Sequence, residues 1–437
     1  MNSTATASTV SRAGSKPRTK ARFAILALIA VVTMVNYLDR SVLGLAAPAM
    51  AKDLGFAAGS LGLIFSAFAW TYTASQIPGG VFLDRFGTKI TYGLAIIVWS
   101  AITFAQSMVG GMGALLACRF GLGIAEAPCF PTNGRIVGIW FPQKERARAT
   151  SVYTVGEYVG LAFLSPILLW IMHVWSWHVL FLVVGSFGIL LGIILLVAYR
   201  NPQESKWANQ EELDYIEAGG GLQPANADAT PFSWSNVGKL LGYRQVWGAS
   251  IGQFAGNATL VFFLTWFPTY LVQARGMGWV KEGFFVVLPF AAGAVGVLVG
   301  GALSDKLLGW TGSVNISRKT PIIAGLLLAS TIITANYVNS NAMVIAILSL
   351  AFFGQGMVGL GWTVISDIAP KNLMGLTGGI FNAMTNLAGI VTPLAIGYIV
   401  AETHSFAGAL AFVGIVALIG VFSYVFVLGD IKRITLD

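Results

Sequence analysis

Along most of this chain apolar residues do not alternate with polar ones. They run in blocks of about twenty residues, the length a helix needs to cross the hydrocarbon core of a bilayer. Short clusters of charge, Gly, Pro or Asn separate the blocks. They predict six spans near 23–47, 59–82, 89–108, 112–138, 149–171 and 178–198. Six more follow a long polar gap, near 246–272, 283–303, 320–338, 342–364, 373–399 and 406–428. The expected fold is an all-α membrane protein of twelve transmembrane helices in two pseudo-symmetric six-helix bundles. Its parts are a tail over 1–22, a first bundle over 23–199, a linker over 200–244, a second bundle over 245–429 and a short tail over 430–437.

Composition agrees with that pattern. The 437 residues are 56% hydrophobic and 10% charged, where a soluble domain carries roughly 25% charged residues. One aqueous core cannot absorb so much apolar surface. The formal charge of +8 would suit nucleic acid if it lay on one face, but the cations cluster in short loops between apolar blocks. Topology explains them better, and nucleic-acid binding is not expected. Of the 26 lysines and arginines, only Lys52, Arg275 and Lys281 fall in the loops opposite the termini, so both termini are expected in the cytoplasm. The first residues are polar and basic (Arg12, Lys16, Arg18, Lys20, Arg22), and the apolar block after them is too long for a signal-peptide core. They read as a retained cytoplasmic tail. The linker carries Glu211, Glu212, Asp214 and Glu217, and a short amphipathic helix is expected there, stopping at Gly219–Gly221. Cys118 and Cys129 fall in one predicted helix, ~16 Å apart along its axis, too far to bond to each other.

The two halves resemble each other. Gly80, Asp84 and Arg85 after span two recur as Gly301, Asp305 and Lys306 after span eight, and Pro142 and Pro166 are echoed by Pro370 and Pro393. Such internal symmetry marks transporters built from two repeats, with substrate bound between them near the midplane. The loop pattern Gly80-x-x-x-Asp84-Arg85-x-Gly87-x-Lys89 resembles the loop motif of the major facilitator superfamily, departing from it at Ile90. Physically, Asp84 can face the N-terminus of a neighbouring helix while Arg85 and Lys89 meet acidic or carbonyl groups, latching one conformation. Plain topogenic charge is the other reading.

Five ionisable residues fall inside the predicted spans, all in the first half: Asp39, Arg40, Arg119, Glu126 and Glu157. A charge at mid-bilayer costs at least ~2.5–3.5 kcal/mol, so these residues are expected to face a cavity, to pair and to serve transport. Counting helix rise, Asp39 and Arg119 lie ~10–12 Å from the outer surface, with Glu126 ~10 Å deeper on the Arg119 face. Burial disfavours ionisation of a carboxyl and a neighbouring guanidinium favours it, so Asp39 and Glu126 suit proton binding, with Arg119 as modulator. Arg40 presents a fork that can grip a carboxylate. A static ion-pair network is the structural alternative. His173, His178 and His404 map to outer loops, which makes imidazole an unsuitable proton carrier here. The second half offers neutral groups instead, Gln253, Asn257, Trp362, Asn382 and Asn386, suited to a hydroxylated substrate or to helix packing. Tyr37 and Tyr72 can reach the same cavity.

The stretch Asn36 to Arg40, the run Phe65 to Trp70 leading to Gly80, the segment Arg119 to Pro131, Phe263 to Pro268, Gly378 to Asn382 and the ending Gly429 to Arg433 resemble the anion:cation symporter family of that superfamily. The resemblance covers nearly the whole chain and is greatest to bacterial D-galactonate and D-glucarate/galactarate transporters. It implies proton symport of a sugar acid, with no cofactor beyond the proton and no metal. It also implies Asp39 and Glu126 as proton sites, Arg119 as modulator, and Arg40, Tyr37, Tyr72, Gln253, Trp362 and Asn382 as substrate contacts. Glu157 stands where these relatives tend to have Gln, so it is an additional candidate to bind substrate or to titrate. Gly359 and Gly361 stand where the galactonate type has hydroxyl residues and the glucarate type small ones.

The expected protein is therefore a monomeric, inner-membrane uptake system for a small organic anion, with glucarate, galactarate or galactonate ahead of hexuronate, tartrate or an aromatic acid. An exporter of the same fold is the second reading, disfavoured because Gly156, Gly160 and Pro166 are separated where exporters show a Gly-Pro pair. An enzyme is not expected, since no metal-binding His-Glu motif or Ser/His/Asp set lies at membrane depth.

Overall fold

The computed structural model describes residues 18–222, 233–277, 279–370 and 373–435, and within them the chain is helical with no strand. The tail residues Arg12 and Lys16 lie outside the described residues. The first bundle consists of α1 (Ala21–Leu54), α2 (Ala58–Ala74), α3 (Gln76–Gln106), α4 (Met112–Glu126), α5 (Cys129–Trp140), α6 (Gln143–Val174) and α7 (Trp177–Ala198). Two short linker helices follow, α8 (Gln210–Ala218) and α9 (Trp234–Leu241). The second bundle holds α10 (Arg244–Thr265), α11 (Phe267–Gln273), α12 (Trp279–Thr311), α13 (Val314–Ser330), α14 (Asn341–Val358), α15 (Gly361–Ile368), α16 (Met374–Asn386), α17 (Ala388–Thr403) and α18 (Ala407–Phe422).

Among the described residues ten helices are long and apolar enough to cross a membrane, or eleven when α10 and α11, bent by 52°, are taken as one span. The remaining predicted span is α2, whose 17 residues continue past Ser75 into α3. At this point the structure departs from the sequence expectation. Spans two and three are two helical stretches divided at a single-residue corner rather than by a longer loop: the backbone is helical on either side of Gly87, which has φ 74° and ψ 169°. Glycine adopts positive φ without a Cβ clash, so one residue makes the corner. The predicted fourth span divides into α4 and α5 at Ala127 and Pro128, where proline removes a backbone donor. Cys118 and Cys129 consequently sit on different helices, both as free thiols.

The bundles meet where α6 packs on α12 and α2 on α17, with α1 touching α10 and α11. Lipid supplies no hydrophobic force between helices, so close backbone approach at small residues has to hold them. A Cβ on Gly44 would lie 2.1 Å from the Leu264 carbonyl oxygen, and one on Gly62 would lie 2.7 Å from that of Pro393. Aromatic rings seal the same end: Phe65 meets Trp266 at 5.3 Å and Trp266 meets Phe406 at 6.0 Å. The molecule is thus closed at the end opposite its termini.

At the terminal end α8 is clamped to the first bundle. It starts at Asn209, whose side chain accepts from the Glu212 N–H, and it ends at Gly219, as the sequence predicted. Glu212 is fully buried. It accepts from the Ala21 N–H at 2.9 Å, from Arg22 at 2.9 Å and from the Thr19 hydroxyl at 2.6 Å. Arg22 also reaches Glu145 at 3.0 Å.

Candidate functional site

Asp39 and Arg40 lie in the middle of α1, too far from either end of a 34-residue helix to reach water along the chain. Glu126 closes α4 just before the Ala127 and Pro128 break. That break ends the helix with the carboxylate pointing inward, and Glu126 is fully buried. Arg40 Nε donates to Glu126 Oε2 at 2.8 Å. Rings box the guanidinium: Tyr72 at 4.7 Å, Phe68 at 4.9 Å, Tyr37 at 5.2 Å and Phe130 at 5.9 Å. Phe68 also lies 5.2 Å from the Arg119 guanidinium, so one ring stands against both cations. Such rings stabilise a positive charge that has left water.

Asp39 lies within electrostatic range of Glu126, Arg119 and Arg40. Glu157, on α6, faces the Tyr37 hydroxyl and senses Arg40. All five sequence-predicted charges are therefore in one buried neighbourhood. The pairing differs from the staircase expected from helix rise. The ion pair that forms is Arg40 with Glu126, and Arg40 is already engaged through Nε rather than wholly open to an anion. Rise along separate helices places depth but not rotation, and rotation selected the partner.

Several buried polar atoms here have no hydrogen-bond partner: Arg40 Nη2, Arg119 Nε, Asp39 Oδ2, Glu126 Oε1 and both side-chain atoms of Asn36. Unmatched atoms occur elsewhere too, as at Trp140 and Tyr424, but these include four ionisable side chains side by side, which can meet a polar ligand, water or a proton. Asn36, Phe68 and Phe130 are site residues that sequence reasoning did not single out. Asn36 carried a signal, since it is a polar residue in an apolar block one helical turn before Asp39 and Arg40.

Across the seam, α10 carries Gln253, whose amide lies over Gly361, where a Cβ would come within 2.0 Å of Gln253 Oε1. Gln253 Oε1 has no hydrogen-bond partner. Trp362 is 47% exposed and stands edge-on to Phe381 at 5.0 Å. Asn386 donates to Asn382 Oδ1 at 2.9 Å, while Asn257 donates to the Thr385 carbonyl at 3.0 Å. Asn257 thus ties α10 to α16, the Asn386 bond stays within α16, and Gln253, Trp362 and Asn382 remain as the contact candidates.

The loop motif is formed differently from expectation. Asp84 accepts from Arg135 at 3.1 Å and is two-thirds exposed. Its partner is a cation of its own bundle, not the N-terminus of a neighbouring helix. Arg85 lies over the Phe86 ring at 5.5 Å, and among the described ion pairs neither Arg85 nor Lys89 takes part. Gly80 has open space where a Cβ would go, and Gly87 makes the corner. His173 ends α6, His178 begins α7 and His404 follows α17, all away from the charged pocket.

The sequence pattern of the Major Facilitator Superfamily matches residues 29–379. The chain belongs to the Major Facilitator Superfamily. This major facilitator is 46% identical over 443 residues to a probable galactarate/D-glucarate transporter of Escherichia coli strain K12, with 98% of each chain covered. It is 44% identical over 417 residues to a D-galactonate transporter of Escherichia coli O6:H1, covering 94% of this chain and 97% of the other. Its fold is shared with a bacterial homolog of the human lysosomal transporter Spinster, solved in an inward-facing and occupied conformation, at TM-score 0.70 and 20% identity. That match covers 95% of this chain and 97% of the solved one. The protein is accordingly a multi-pass membrane transporter.

Proposed function

We propose that this transporter takes up a sugar acid of the glucarate, galactarate or galactonate kind together with protons, as a monomer in a bacterial inner membrane with both termini in the cytoplasm. The observation that carries the reading is the Arg40 and Glu126 ion pair, set beside Asp39 and Arg119 in a buried aromatic box. A carboxylate paired with a guanidinium competes with any anion that wants the same fork. When Glu126 takes a proton, Arg40 is released to grip the substrate carboxylate, aided by Tyr37 and Tyr72. Asp39 and Arg119 repeat the exchange nearby. Loss of the protons restores the internal pair and expels the anion. Gln253, Trp362 and Asn382 then read the hydroxylated body of the substrate without changing charge. The names of the relatives support the substrate class.

With the termini in the cytoplasm, a molecule closed at the opposite end opens toward the cell interior. Two protons entering with a monoanion carry one net positive charge inward, gaining ~2.3 kcal/mol per 100 mV of membrane potential. In proteoliposomes, uptake of labelled galactarate, glucarate or galactonate should rise with outside acidity and collapse on adding an uncoupler. Uptake that ignores the uncoupler would sink the proton coupling.

A further inference from the structure

We infer that Glu157 is a third proton-binding carboxyl of this site, and that a substrate bearing two carboxylates is held only while Glu157 is neutral. The inference rests on the sugar-acid reading and adds to it a determinant of charge specificity.

Glu157 is 5% exposed on α6, the helix that packs across α12 of the other bundle. Its neighbours are few. From α1 it meets the Tyr37 hydroxyl and the charge of Arg40. Its own helix presents Tyr153 and Tyr158, and Tyr158 donates to the neutral Gln355 of α14 at 3.4 Å. Of the other helices packed on α6, α12 has Asp305 and Lys306 toward its terminal-side end. On α5 there is Arg135, already paired with Asp84, and on α7 His178, at the far end of the molecule. Arg40 is therefore the one cation near Glu157 among the described residues, and its Nε is bound to Glu126.

The balance of buried charge sets the number of protons. Three carboxyls, Asp39, Glu126 and Glu157, face two guanidinium groups, Arg40 and Arg119. Fully ionised, the empty site has one negative charge too many. A dicarboxylate adds two more in a low-dielectric pocket, where uncompensated charge is strongly unfavourable. Two guanidinium groups neutralise a dianion only if all three carboxyls are protonated. With Glu157 ionised, one negative charge stays buried beside the substrate.

The test is binding of galactarate and glucarate to purified wild type and Glu157→Gln from mildly acid to alkaline pH, by calorimetry. On the alkaline side, wild type should lose about tenfold more affinity per pH unit than the variant, because its binding takes up one more proton. Equal slopes with binding intact would overturn the role of Glu157 and leave the transport reading standing. If no sugar acid binds wild type at any pH, both fall. Should Glu157→Gln not fold, wild type alone decides. In weak buffer with a pH indicator, alkaline-side uptake of three protons per bound dicarboxylate supports the inference, and two or fewer overturns it.

Discussion

The two bundles share a topology and divide the chemistry. The first carries Asp39, Arg40, Arg119, Glu126 and Glu157 in its interior, with several polar atoms left unmatched. The second places Gln253 over Gly361, ties α10 to α16 through Asn257 and keeps the Asn386 hydrogen bond within α16. Its described ion pair of Arg318 with Asp367 joins the start of α13 to the end of α15, near the terminal side. Buried charge is expensive in a membrane, so a bundle that keeps five such groups is the proposed seat of the coupling. Amides neither gain nor lose protons in the physiological range, so on the proposed reading Gln253 and Asn382 recognise substrate without taking part in the coupling. On the proposed reading, coupling rests with the first bundle, which also grips the substrate carboxylate through Arg40, while the second adds neutral contacts.

The sharpest way to break this comparison is to remove a proton site. Asp39→Asn and Glu126→Gln should each abolish uphill accumulation, while exchange of substrate down its own gradient persists in proteoliposomes. Retained accumulation in either variant would remove that carboxyl from the coupling. Next comes the seam itself. Gly44→Val pushes side-chain carbon into the Leu264 backbone, so the end opposite the termini cannot close, and uptake should fall to background while binding to purified protein survives. Normal uptake by this variant would mean that the contact opens at little cost.

Arg40→Ala strands a fully buried Glu126 and should cost on the order of 3–5 kcal/mol of stability, visible as a lowered melting temperature. Adding Glu126→Gln to that variant should recover much of the loss, and no recovery would show that the pair is not the source. In the second bundle, Gln253→Ala and Asn382→Ala each remove a neutral hydrogen bond worth about 1–3 kcal/mol when left unsatisfied. KM should rise by roughly 5–150-fold with the pH profile of transport unmoved. A shifted pH profile would break the division between the halves.

The smallest effect is expected outside the membrane. Burial pushes the Glu145 carboxyl up, but hydrogen bonds from Tyr215 and Arg22, with the Arg22 charge, outweigh it and hold the group below the usual carboxylate range. A depressed folded-state value means that its contribution is present at neutral pH and is lost as pH falls through that value. The difference in melting temperature between wild type and Glu145→Gln should therefore be small at neutral pH and vanish in acid. A gap that widens in acid would contradict the sign.

Much of this molecule was legible in one dimension. Apolar block length located the spans, because bilayer thickness is a fixed ruler applied to every helix. The five charges stood out because lipid tolerates none without a reason, and they do gather in one pocket. The linker helix ended at Gly219 as its glycines predicted. What the sequence did not contain was the choice of partner. Arg40 pairs with Glu126, Asp84 turns to Arg135, and Glu212 leaves water to clamp α1, three contacts between residues 51 to 190 positions apart. Hydropathy and helix rise are local properties of the chain. Which side chains meet depends on how each helix is rotated and tilted against its neighbours, and that is settled only when glycines, rings and kinks from distant segments pack together.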